Sequence, residues 1–526
     1  MNVKNMAKPS RPMPTHPAAP MRAAPVAPKS AFSRASPPRP KLSASPIPSS
    51  LPRLIRNLEA VFRPRSVAVI GASREPTKIG HVILRNFLEG GYGGKVYAIN
   101  PNTPDVLGVK TLKRASDAPG KIDCALVAVP APFVYGALHD SISAGARAAV
   151  VITGGFSEVG NKAGEEKIRR LALEHDLALI GPNCMGVLNP AARADSVFLP
   201  IYKMGRPHAG SIAFISQSGA VGGCIVDLAA RAGVGISKFV SYGNAAVINE
   251  SHLLRYLAHD ESTQAVVSYM EGVKDGPLFM SSARALTRNK PLVVLKAGKS
   301  KQGAAAAASH TGSLAGSAEV YSAAFRQAGV LEAQTLEELF DFAKIFALPP
   351  ARGPRVGILT NGGGNGVLAA DSVEAEGLEL ASLSGESLAE LKAMLPPYAT
   401  PRNPLDIIGD ADAVRYGRAL QIMLKDPGID VIVVIVLFQT AALDSSVVDV
   451  LVKAAQQKTK PIVVVSTGGE YTELHRRILD GYGIPTYPSP SSAMRAISRF
   501  LQYANYRCRY HPKEPYCGFC AIKKKE

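Results

Sequence analysis

The sequence predicts an α/β protein made of three consecutive doubly wound domains. From Ser66 onward, short apolar runs alternate with helical stretches, and each run ends in a Gly, Pro or Asn turn. This alternation is typical of parallel sheets with crossover helices. The chain of 526 residues is also too long for one hydrophobic core, and roughly 100 to 200 residues per domain predicts about three domains.

The chain begins with a segment, residues 1–58, that we expect to be a disordered arm. Its first 52 residues contain thirteen prolines among Ala, Ser and Arg, a composition that breaks helices and buries no core. The arm carries ten Lys or Arg and no acid, as an organelle transit peptide would. Its dense proline disfavours the amphipathic helix of such peptides, so a solvated extension is the simpler interpretation.

Three domains and a basic tail follow the arm. The first domain, residues 59–195, contains the runs SVAVIGAS, KVYAINPN, CALVAVPAP, AAVVITGG and LALIGPN. The second, residues 196–350, contains SIAFISQSG, GISKFVSYG, AVVSYMEG and PLVVLKAG. Beyond the Pro and Gly punctuation at 349–354, the third domain, residues 351–506, contains RVGILTNGGG, DVIVVIVLF, PIVVVSTGG and IPTYPSP. Residues 507–526 form the tail.

Charge, cysteine content and hydropathy exclude several classes of function. The formal charge of +18 is concentrated at the two ends and leaves about +4 for residues 59–506, so we expect no nucleic-acid partner. Six cysteines in so long a chain form no disulfide framework, which favours a reducing, cytoplasmic location. The longest apolar runs, such as residues 431–438, are far shorter than the roughly 20 residues of a membrane span, which predicts a soluble protein.

The first strand of the first domain ends in a candidate nucleotide site, because open α/β sheets bind ligands at the carboxyl ends of their strands. The small-residue turn there consists of Gly71, Ala72 and Ser73. It precedes a helix whose N-terminus can hold a phosphate. A nicotinamide site would need G-x-G-x-x-G and an acid after the second strand, but the next glycine is Gly80 and that strand ends at Asn100. A nucleotide with an extra ribose phosphate, such as CoA, suits Lys78 better.

Two further strand ends, VAVPAPF and ITGG, combine apolar surface with free backbone groups. They could line a narrow channel for the pantetheine arm of CoA. The alternative is that Pro130 and Pro132 simply end a strand.

The second domain offers an anion site in ISQSGAVGG. Ser216, Ser218 and Gly219 lie at a helix start, where unpaired N–H groups, hydroxyls and the helix dipole favour a phosphoryl group. Ser218 could instead be a plain N-cap. The two interpretations are compatible, because a ligand can displace the capping interaction.

His310 lies in the segment KAGKSKQGAAAAASHTGSLAG, which we expect to form a small-sided loop of about twenty residues. Most histidines in mobile loops are inert. Glu271, at the end of AVVSYME, gives this one a partner: a carboxylate that binds one ring nitrogen fixes the tautomer and frees the other nitrogen to attack phosphorus.

The order of these motifs resembles the ADP-forming acetyl-CoA synthetase family, which is akin to the α subunit of succinyl-CoA synthetase. The shared motifs are VAVIGAS, VAVPAP, ITGGFSE, LIGPNCMGVLNP, FISQSGA, SYGN, YMEG, SHTGSLAG, TNGGGNGVLAAD and NPLDIIGDA. The resemblance covers about residues 59–505. It implies a CoA-binding Rossmann-like domain followed by two flavodoxin-like ligase domains.

The resemblance also implies roles for individual residues. His310 becomes a phosphohistidine and Glu271 the carboxylate that steadies it. The phosphate is assigned to Ser216, Ser218, Gly219 and the nearby Asn183. CoA is assigned to Gly71, Ala72, Ser73, Lys78, Asn100, Val129, Pro130 and Thr153. Cys184 becomes a structural or pocket-lining thiol rather than a nucleophile, and the TNGGGNG turn at 361–366 offers a second helix start toward the phosphate.

The implied reaction converts acyl-CoA, phosphate and ADP into a carboxylic acid, CoA and ATP, through an acyl phosphate and phosphorylated His310. Nothing after Pro490 is long enough to be the ATP-grasp unit that holds ADP in this family. We therefore expect an ATP-grasp β subunit that supplies ADP or ATP and Mg²⁺, in an α2β2 heterotetramer. The sequence leaves the acyl group open.

The tail lies outside the resemblance. Cys508, His511, Cys517 and Cys520 have the spacing C-x2-H-x5-C-x2-C, which could complete a tetrahedral zinc site, although an unstructured basic tail is the alternative. For the whole chain, the competing functions are a CoA or acyl-CoA sensor without chemistry and a nicotinamide-dependent oxidoreductase. The presence of both His310 and Glu271 argues against a sensor, and the missing acid and glycines argue against an oxidoreductase.

Overall fold

The computed structural model of the protein describes residues 51–311 and 317–511, without the side chains of 307–311. Over these ranges the chain forms three successive sheets accompanied by helices. The three consecutive doubly wound domains that the sequence predicts are confirmed.

The first sheet contains the five runs that the sequence predicts for it and a short extra hairpin. Its strands are β1 (Ser66–Ile70), β2 (Lys95–Ile99), β3 (Asp105–Val106), β4 (Val109–Leu112), β5 (Cys124–Val127), β6 (Ala148–Val151) and β7 (Ala178–Ile180). Their order is β3-β4-β2-β1-β5-β6-β7, parallel except for the β3–β4 hairpin. The associated helices are α1 (Leu51–Asn57), α2 (Glu59–Phe62), α3 (Ile79–Glu89), α4 (Ala131–Ser143) and α5 (Lys162–Glu174). The order reverses at β1, which opens a crevice at its carboxyl end.

The second sheet has the flavodoxin-like order β14-β13-β12-β10-β11, extended by β8 and β9. Its strands are β8 (Gly186–Asn189), β9 (Ala194–Asp195), β10 (Ala209–Ser216), β11 (Ile236–Ser241), β12 (Ala265–Met270), β13 (Leu292–Lys296) and β14 (Leu331–Ala333). Its helices are α6 (Gly219–Arg231), α7 (Glu250–His259), α8 (Gly276–Thr287), α9 (Lys301–Thr311), α10 (Ala318–Ala328) and α11 (Leu336–Ile345). Strands β8 and β9 lie within the predicted bounds of the first domain, which ended at residue 195. In the structure they extend the second sheet, where β8 pairs antiparallel with β11.

The third sheet has the same flavodoxin-like order, β16-β15-β18-β19-β20, with β17 also paired to β15. Its strands are β15 (Arg355–Thr360), β16 (Glu379–Leu380), β17 (Leu405–Asp406), β18 (Val431–Ile435), β19 (Ile462–Val465) and β20 (Thr486–Tyr487). Its helices are α12 (Gly363–Ala375), α13 (Gly385–Met394), α14 (Ala413–Lys425), α15 (Ser446–Gln456), α16 (Glu470–Gly481) and α17 (Pro490–Arg507). Strands β18 and β19 are buried along their whole length, as their continuous apolar sequences predict.

Two predicted segments differ from the structure. The disordered arm was expected to reach residue 58, but helix α1 begins at Leu51 and buries Leu51, Leu54 and Leu58, which recur at helical spacing. The rest of the predicted arm, residues 1–50, lies outside the described residues. The loop expected around His310 contains helix α9, because the five alanines at 304–308 are the strongest helix formers.

The second and third domains share one hydrophobic core. Phe346, just after α11, packs on Phe500 and Tyr503 of α17 with ring centroids 5.8 and 5.6 Å apart. Lys344 adds a hydrogen bond from its ammonium to the Thr486 carbonyl at 2.6 Å. Among residues 51–311 and 317–511, no helix has both the length and the apolar character needed to cross a membrane.

Candidate functional site

The turn after β1 brings helix α3 directly onto that strand. Gly71 has φ of +93°, and a Cβ there would lie 2.6 Å from the Ala128 carbonyl oxygen. A Cβ at Gly80, in the first turn of α3, would overlap the Gly71 carbonyl oxygen. Glycine is therefore required at both positions by the close approach of three backbone segments.

Polar side chains hold this turn in shape. Asn100 Nδ2, at the end of β2, donates to the Ala72 carbonyl at 2.6 Å. The Ser73 carbonyl is 2.8 Å from His81 Nδ1, and Ser73 Oγ accepts from the Glu75 backbone N–H at 3.1 Å. Asn100 and Ser73 thus support the turn, and their hydrogen bonds in the structure are internal to it.

Lys78 lies at the rim of the same turn. Its side chain is exposed, and its ammonium is 3.8 Å from the Glu75 carboxylate. This exposed ion pair is weak, so Lys78 remains accessible to an anion at the mouth of the crevice.

The ends of β5 and β6 are linked to each other and to the turn after β7. Thr153 Oγ1 donates to the Val129 carbonyl at 2.7 Å, and the Asn183 backbone N–H donates to the Thr153 carbonyl at 2.9 Å. Pro130, at the N-cap position of α4, is exposed and has extended ψ of 148°. Val129, Thr153 and Asn183 are thus joined along the carboxyl ends of the strands. A channel for the pantetheine arm along this edge stays a prediction.

The turn between β10 and α6 forms the helix start that the sequence singles out. Buried Ser216 donates from Oγ to the Ser218 carbonyl at 2.6 Å. Ser218 caps the helix by accepting from the Val221 N–H at 3.3 Å. Gly219 is the first helical residue. This cap is long, so an anion could replace it at little cost.

Gln217, between the two serines, was not among the predicted site residues. Its Oε1 accepts from the backbone N–H groups of Glu271 and Gly272 at 2.8 and 3.2 Å. It thereby ties the end of β12 to the start of α6. The sequence places Gln217 in the ISQSG motif, but its partner is on a neighbouring strand, which no local pattern reveals.

Glu271 is only 6% exposed, and its carboxylate lies beside the hydroxyl of Tyr269, 3.5 Å from Oε1. Burial, followed by the charge of Glu271, raises the pKa of Tyr269 to about 12, so this hydroxyl stays protonated and donates. The structure therefore presents a buried carboxylate next to the α6 start.

Asn183 has a left-handed backbone (φ of +57°) and its Nδ2 donates to Asn244 Oδ1 at 3.2 Å. Asn244 in turn donates to the carboxylates of Glu158 and Glu165 in the first domain, and its carbonyl accepts from Lys274 Nζ at 2.7 Å. Burial alone would raise the pKa of Glu158, but the Asn244 and backbone hydrogen bonds hold it below its ordinary value. Asn244 and Lys274 were also not predicted, although Asn244 belongs to the SYGN motif.

One cavity of about 560 Å³ joins the edges of the first two domains. Its lining includes the predicted residues Asn183, Ser218, Gly219 and Glu271. The other described lining residues are Ile79, Ile152, Gly154, Ser157, Cys184, Met185, Phe198, Leu199, Gln217, Ala220, Gly243, Asn244 and Lys274. The structure thus brings the start of α6, where an anion site is predicted, and Glu271 into one space with the inner end of the first-domain edge.

Cys184 lines this cavity as a thiol. Its Sγ is 3.3 Å from the Val151 carbonyl, and burial raises the pKa of the thiol to about 12. A thiol so reluctant to ionise is a poor nucleophile.

Helix α9 carries His310, whose side chain lies outside the described residues. The backbone of α9 lies beside the short 3-10 helix Ser157–Val159. Ser157, at the start of that 3-10 helix, lines the cavity.

The third-domain turn at 361–366 leads into α12. Asn361 Oδ1 accepts from the Leu437 N–H at 2.9 Å, and Thr360 Oγ1 donates to the Gly362 carbonyl at 3.0 Å. All described residues that line the cavity come from the first two domains.

The candidate zinc ligands are only partly described. Cys508 is buried and His511 Nε2 is 3.0 Å from the Arg288 carbonyl, whereas Cys517 and Cys520 lie outside the described residues. In the part of the chain that the structure describes, no three or more His, Cys, Asp or Glu side chains are placed to hold a metal ion.

Three family models match the chain in the order of its domains. They are a CoA binding domain over residues 65–190, a succinyl-CoA ligase like flavodoxin domain over 209–346 and a ligase-CoA domain over 356–507. Fold, crevice and family models together define an α/β protein of the CoA-ligase type.

Whole-chain relatives narrow this class. Subunit alpha of ADP-forming acetate–CoA ligase II from Pyrococcus furiosus is 39% identical over 453 residues, which are 85% of this chain and 98% of that subunit. ADP-forming acetate–CoA ligase I from Archaeoglobus fulgidus is 42% identical over 460 residues, which are 87% of this chain and 65% of that protein. The chain belongs to the family of ADP-forming acetate–CoA ligase alpha subunits, as its motifs predict.

A solved structure agrees with this membership. Acetyl-coenzyme A synthetase 1 from Ca. Korarchaeum cryptofilum, described as dinucleotide forming and in complex with phosphate and ADP, matches with a TM-score of 0.81 at 38% identity. The match covers 86% of this chain and 98% of that chain.

Proposed function

We propose that this chain is the α component of an ADP-forming acyl-CoA ligase, which interconverts acyl-CoA, phosphate and ADP with a carboxylic acid, CoA and ATP. The observation that carries the proposal is the shared cavity. In it, the strand ends of the CoA-binding domain meet a helix N-terminus and a buried carboxylate, Glu271. Phosphoryl transfer requires alignment and charge stabilisation, which these groups supply.

In the first step, CoA lies along the first-domain edge with its thioester in the cavity, and phosphate binds at Ser216, Ser218 and Gly219. A phosphate oxygen attacks the thioester carbonyl carbon, the C–S bond breaks, and the thiolate takes a proton to leave as CoA. The N–H groups of α6 stabilise the charge on the phosphate.

In the second step, one ring nitrogen of His310 attacks the phosphorus of the acyl phosphate. The bond between phosphorus and the acyl oxygen breaks, and the carboxylate leaves. Glu271 accepts a hydrogen bond from the other ring nitrogen and stabilises the positive charge that develops on the imidazole. Gln217 holds Glu271 in place through the two backbone hydrogen bonds described above.

In the third step, a β-phosphate oxygen of ADP attacks the phosphorus on His310 and the P–N bond breaks, which gives ATP. We assign ADP to an ATP-grasp β subunit in an α2β2 assembly. The lengths of the relatives support a second component: this chain spans 98% of an alpha subunit and 65% of the Archaeoglobus fulgidus relative. Mg²⁺ bound with the nucleotide would neutralise phosphate charge.

The segment that carries His310 must then reach two sites. Helix α9 is rich in alanine, and residues 301–306, the part of it whose side chains are described, are exposed or half-buried, which suits a segment that changes position. We assign the start of α12 to the later transfer, where its N–H groups receive the phosphoryl group on its way to the nucleotide.

The test is to incubate the purified chain with labelled phosphate and a series of acyl-CoAs, and to measure acid-labile label on the protein. We expect label in the wild type and none in His310→Ala. His139→Ala, which changes an exposed histidine on α4, is the matched control and should label normally. Label that persists in His310→Ala would contradict the mechanism, and CoA binding without label in the wild type would favour the sensor.

A further inference from the structure

We propose that the cavity has an apolar wall that selects acyl groups longer than acetyl and rejects acids with a second carboxylate. The wall consists of Ile79, Ile152, Met185, Phe198 and Leu199. This inference rests on the proposed function, because it assumes that the acyl thioester enters this cavity.

The apolar wall lies opposite bare helix backbone. A Cβ at Gly223 of α6 would lie 3.3 Å from both Leu199 Cδ1 and Met185 Sδ, and a Cβ at Gly219 would lie 3.4 Å from Met185 Cβ. Gly219 and Gly223 are one helical turn apart and therefore share a face. Leu199 and Met185 therefore pack directly against the backbone of α6, and because the helix contributes no side chain there, these two side chains bound the cavity on that side.

The wall also has apolar surface left to cover. Met185 is buried, but Phe198 and Leu199 are half-buried, and Ile79 is 37% exposed at the edge of the cavity. An acyl chain that covers this surface should bind about fourfold tighter for each added methylene group. An acetyl group reaches little of it.

The charged side chains of the described lining do not suit a second carboxylate. They are Glu271, which repels it, and Lys274, whose ammonium already donates to the carbonyls of Asn244 and Ala245 at 2.7 and 3.4 Å. The N–H groups at the α6 start are occupied by phosphate in the proposed reaction. Lys274 is exposed, so a carboxylate could be neutralised only beside it. A carboxylate that lies against the apolar wall, away from Lys274, would be buried without a partner.

Calorimetric titration of the full chain with CoA and its stable thioethers separates this idea from the chemistry. The probes are CoA, S-ethyl-, S-propyl-, S-butyl- and S-pentyl-CoA, and S-(3-carboxypropyl)-CoA. We expect affinity to rise about fourfold per methylene until the wall is covered. The carboxylated probe should bind at least tenfold more weakly than S-butyl-CoA.

Changes at Leu199 should shift the chain length at which the rise stops. Leu199→Ala should extend the series and Leu199→Phe should shorten it, while both keep the affinity for CoA itself. Leu228→Phe, the same change on the exposed side of α6, is the matched control and should leave the series unchanged. Tight CoA binding with a flat series, or identical series in both Leu199 variants, would overturn the apolar wall. No CoA binding at all would overturn the proposed function and the wall with it.

Discussion

The second and third domains have the same flavodoxin-like strand order and the same turn, after β10 in one and after β15 in the other. Of these two domains, only the second lines the cavity described above. In both turns the hydroxyl of the last strand residue bonds to the carbonyl two residues on. Ser216 Oγ donates to the Ser218 carbonyl at 2.6 Å, and Thr360 Oγ1 donates to the Gly362 carbonyl at 3.0 Å. The turn is therefore a property of the fold.

The next residue of each turn has a side-chain amide, whose oxygen accepts a hydrogen bond from a backbone N–H shortly after β12 in one domain and β18 in the other. Gln217 accepts from the Glu271 N–H, and Asn361 accepts from the Leu437 N–H at 2.9 Å. The two side chains act similarly, although Asn361 Nδ2 also donates to the Leu437 carbonyl and Thr440 Oγ1, both at 3.3 Å. What they position differs: a buried carboxylate in one domain and a leucine in the other. A doubly wound domain therefore supplies the helix start, whereas the residues after β12 or β18 decide whether chemistry can follow.

Replacing the carboxylate should have the largest effect. Glu271→Gln makes the second domain resemble the third, with no charge after the third strand. Because a catalytic imidazole without its carboxylate loses both its tautomer and its charge stabilisation, labelling of His310 should slow on the order of 10³-fold. The initial rate of acid-labile labelling measures this.

The matched change at the opposite end of the same strand separates charge from position. Glu261→Gln alters an exposed residue shortly before β12 and should label at the wild-type rate. Affinity for CoA should be the same in both variants. A Glu271→Gln protein that labels within threefold of wild type would remove Glu271 from the mechanism.

A smaller difference concerns the first turns of α7, which follows β11, and of α13, which follows β16. Burial raises the pKa of Glu250 from 4.5 to about 7, whereas Glu386 at the start of α13 is exposed. Between pH 4.5 and about pH 7, Glu250 keeps its proton in the folded chain and releases it in the unfolded chain, so the free energy of unfolding falls as pH rises. The full loss is about 3 kcal/mol, complete above pH 7.

Glu250→Gln should remove this loss and be more stable than wild type at pH 8. Denaturant unfolding between pH 4 and pH 8, followed by circular dichroism, measures the effect. Glu386→Gln should follow the wild-type curve. Parallel curves for wild type and Glu250→Gln would show that Glu250 is not held protonated in the folded chain.

The same contrast explains how far the sequence could predict the fold. Strands such as β18 were predicted because both of their faces are buried and the sequence is apolar throughout. The two-residue strands β9, β16 and β17 are too short for such a signal, and β16 and β17 also pair with β15, which is distant in the chain. Helix α9 was missed because an alanine run was interpreted as a flexible loop, although alanine favours helix most strongly.

The candidate site divides in a similar way. Ser216, Ser218 and Glu271 could be predicted to lie together because they follow strands of one parallel sheet, whose carboxyl ends meet at one edge. Gln217, Asn244 and Lys274 could not, since their roles depend on hydrogen bonds across strands or between domains. The side chain of His310 lies outside the described residues, so its place in the site stays a prediction.

Replacing the side-chain amides of Gln217 and Asn361 should have the smallest effect. Gln217→Leu leaves the N–H groups of Glu271 and Gly272 unpaired, and Asn361→Leu does the same to Leu437. Each change should cost about 2 kcal/mol in the free energy of unfolding, because a buried N–H loses its acceptor. Only Gln217→Leu should also slow labelling of His310, by about tenfold. A displaced Glu271 that stabilises the transition state by about 1.4 kcal/mol less would slow the step by that factor. An equal loss of labelling in Asn361→Leu would mean that the third-domain turn takes part in the first transfer, and that the two helix starts act together rather than in succession.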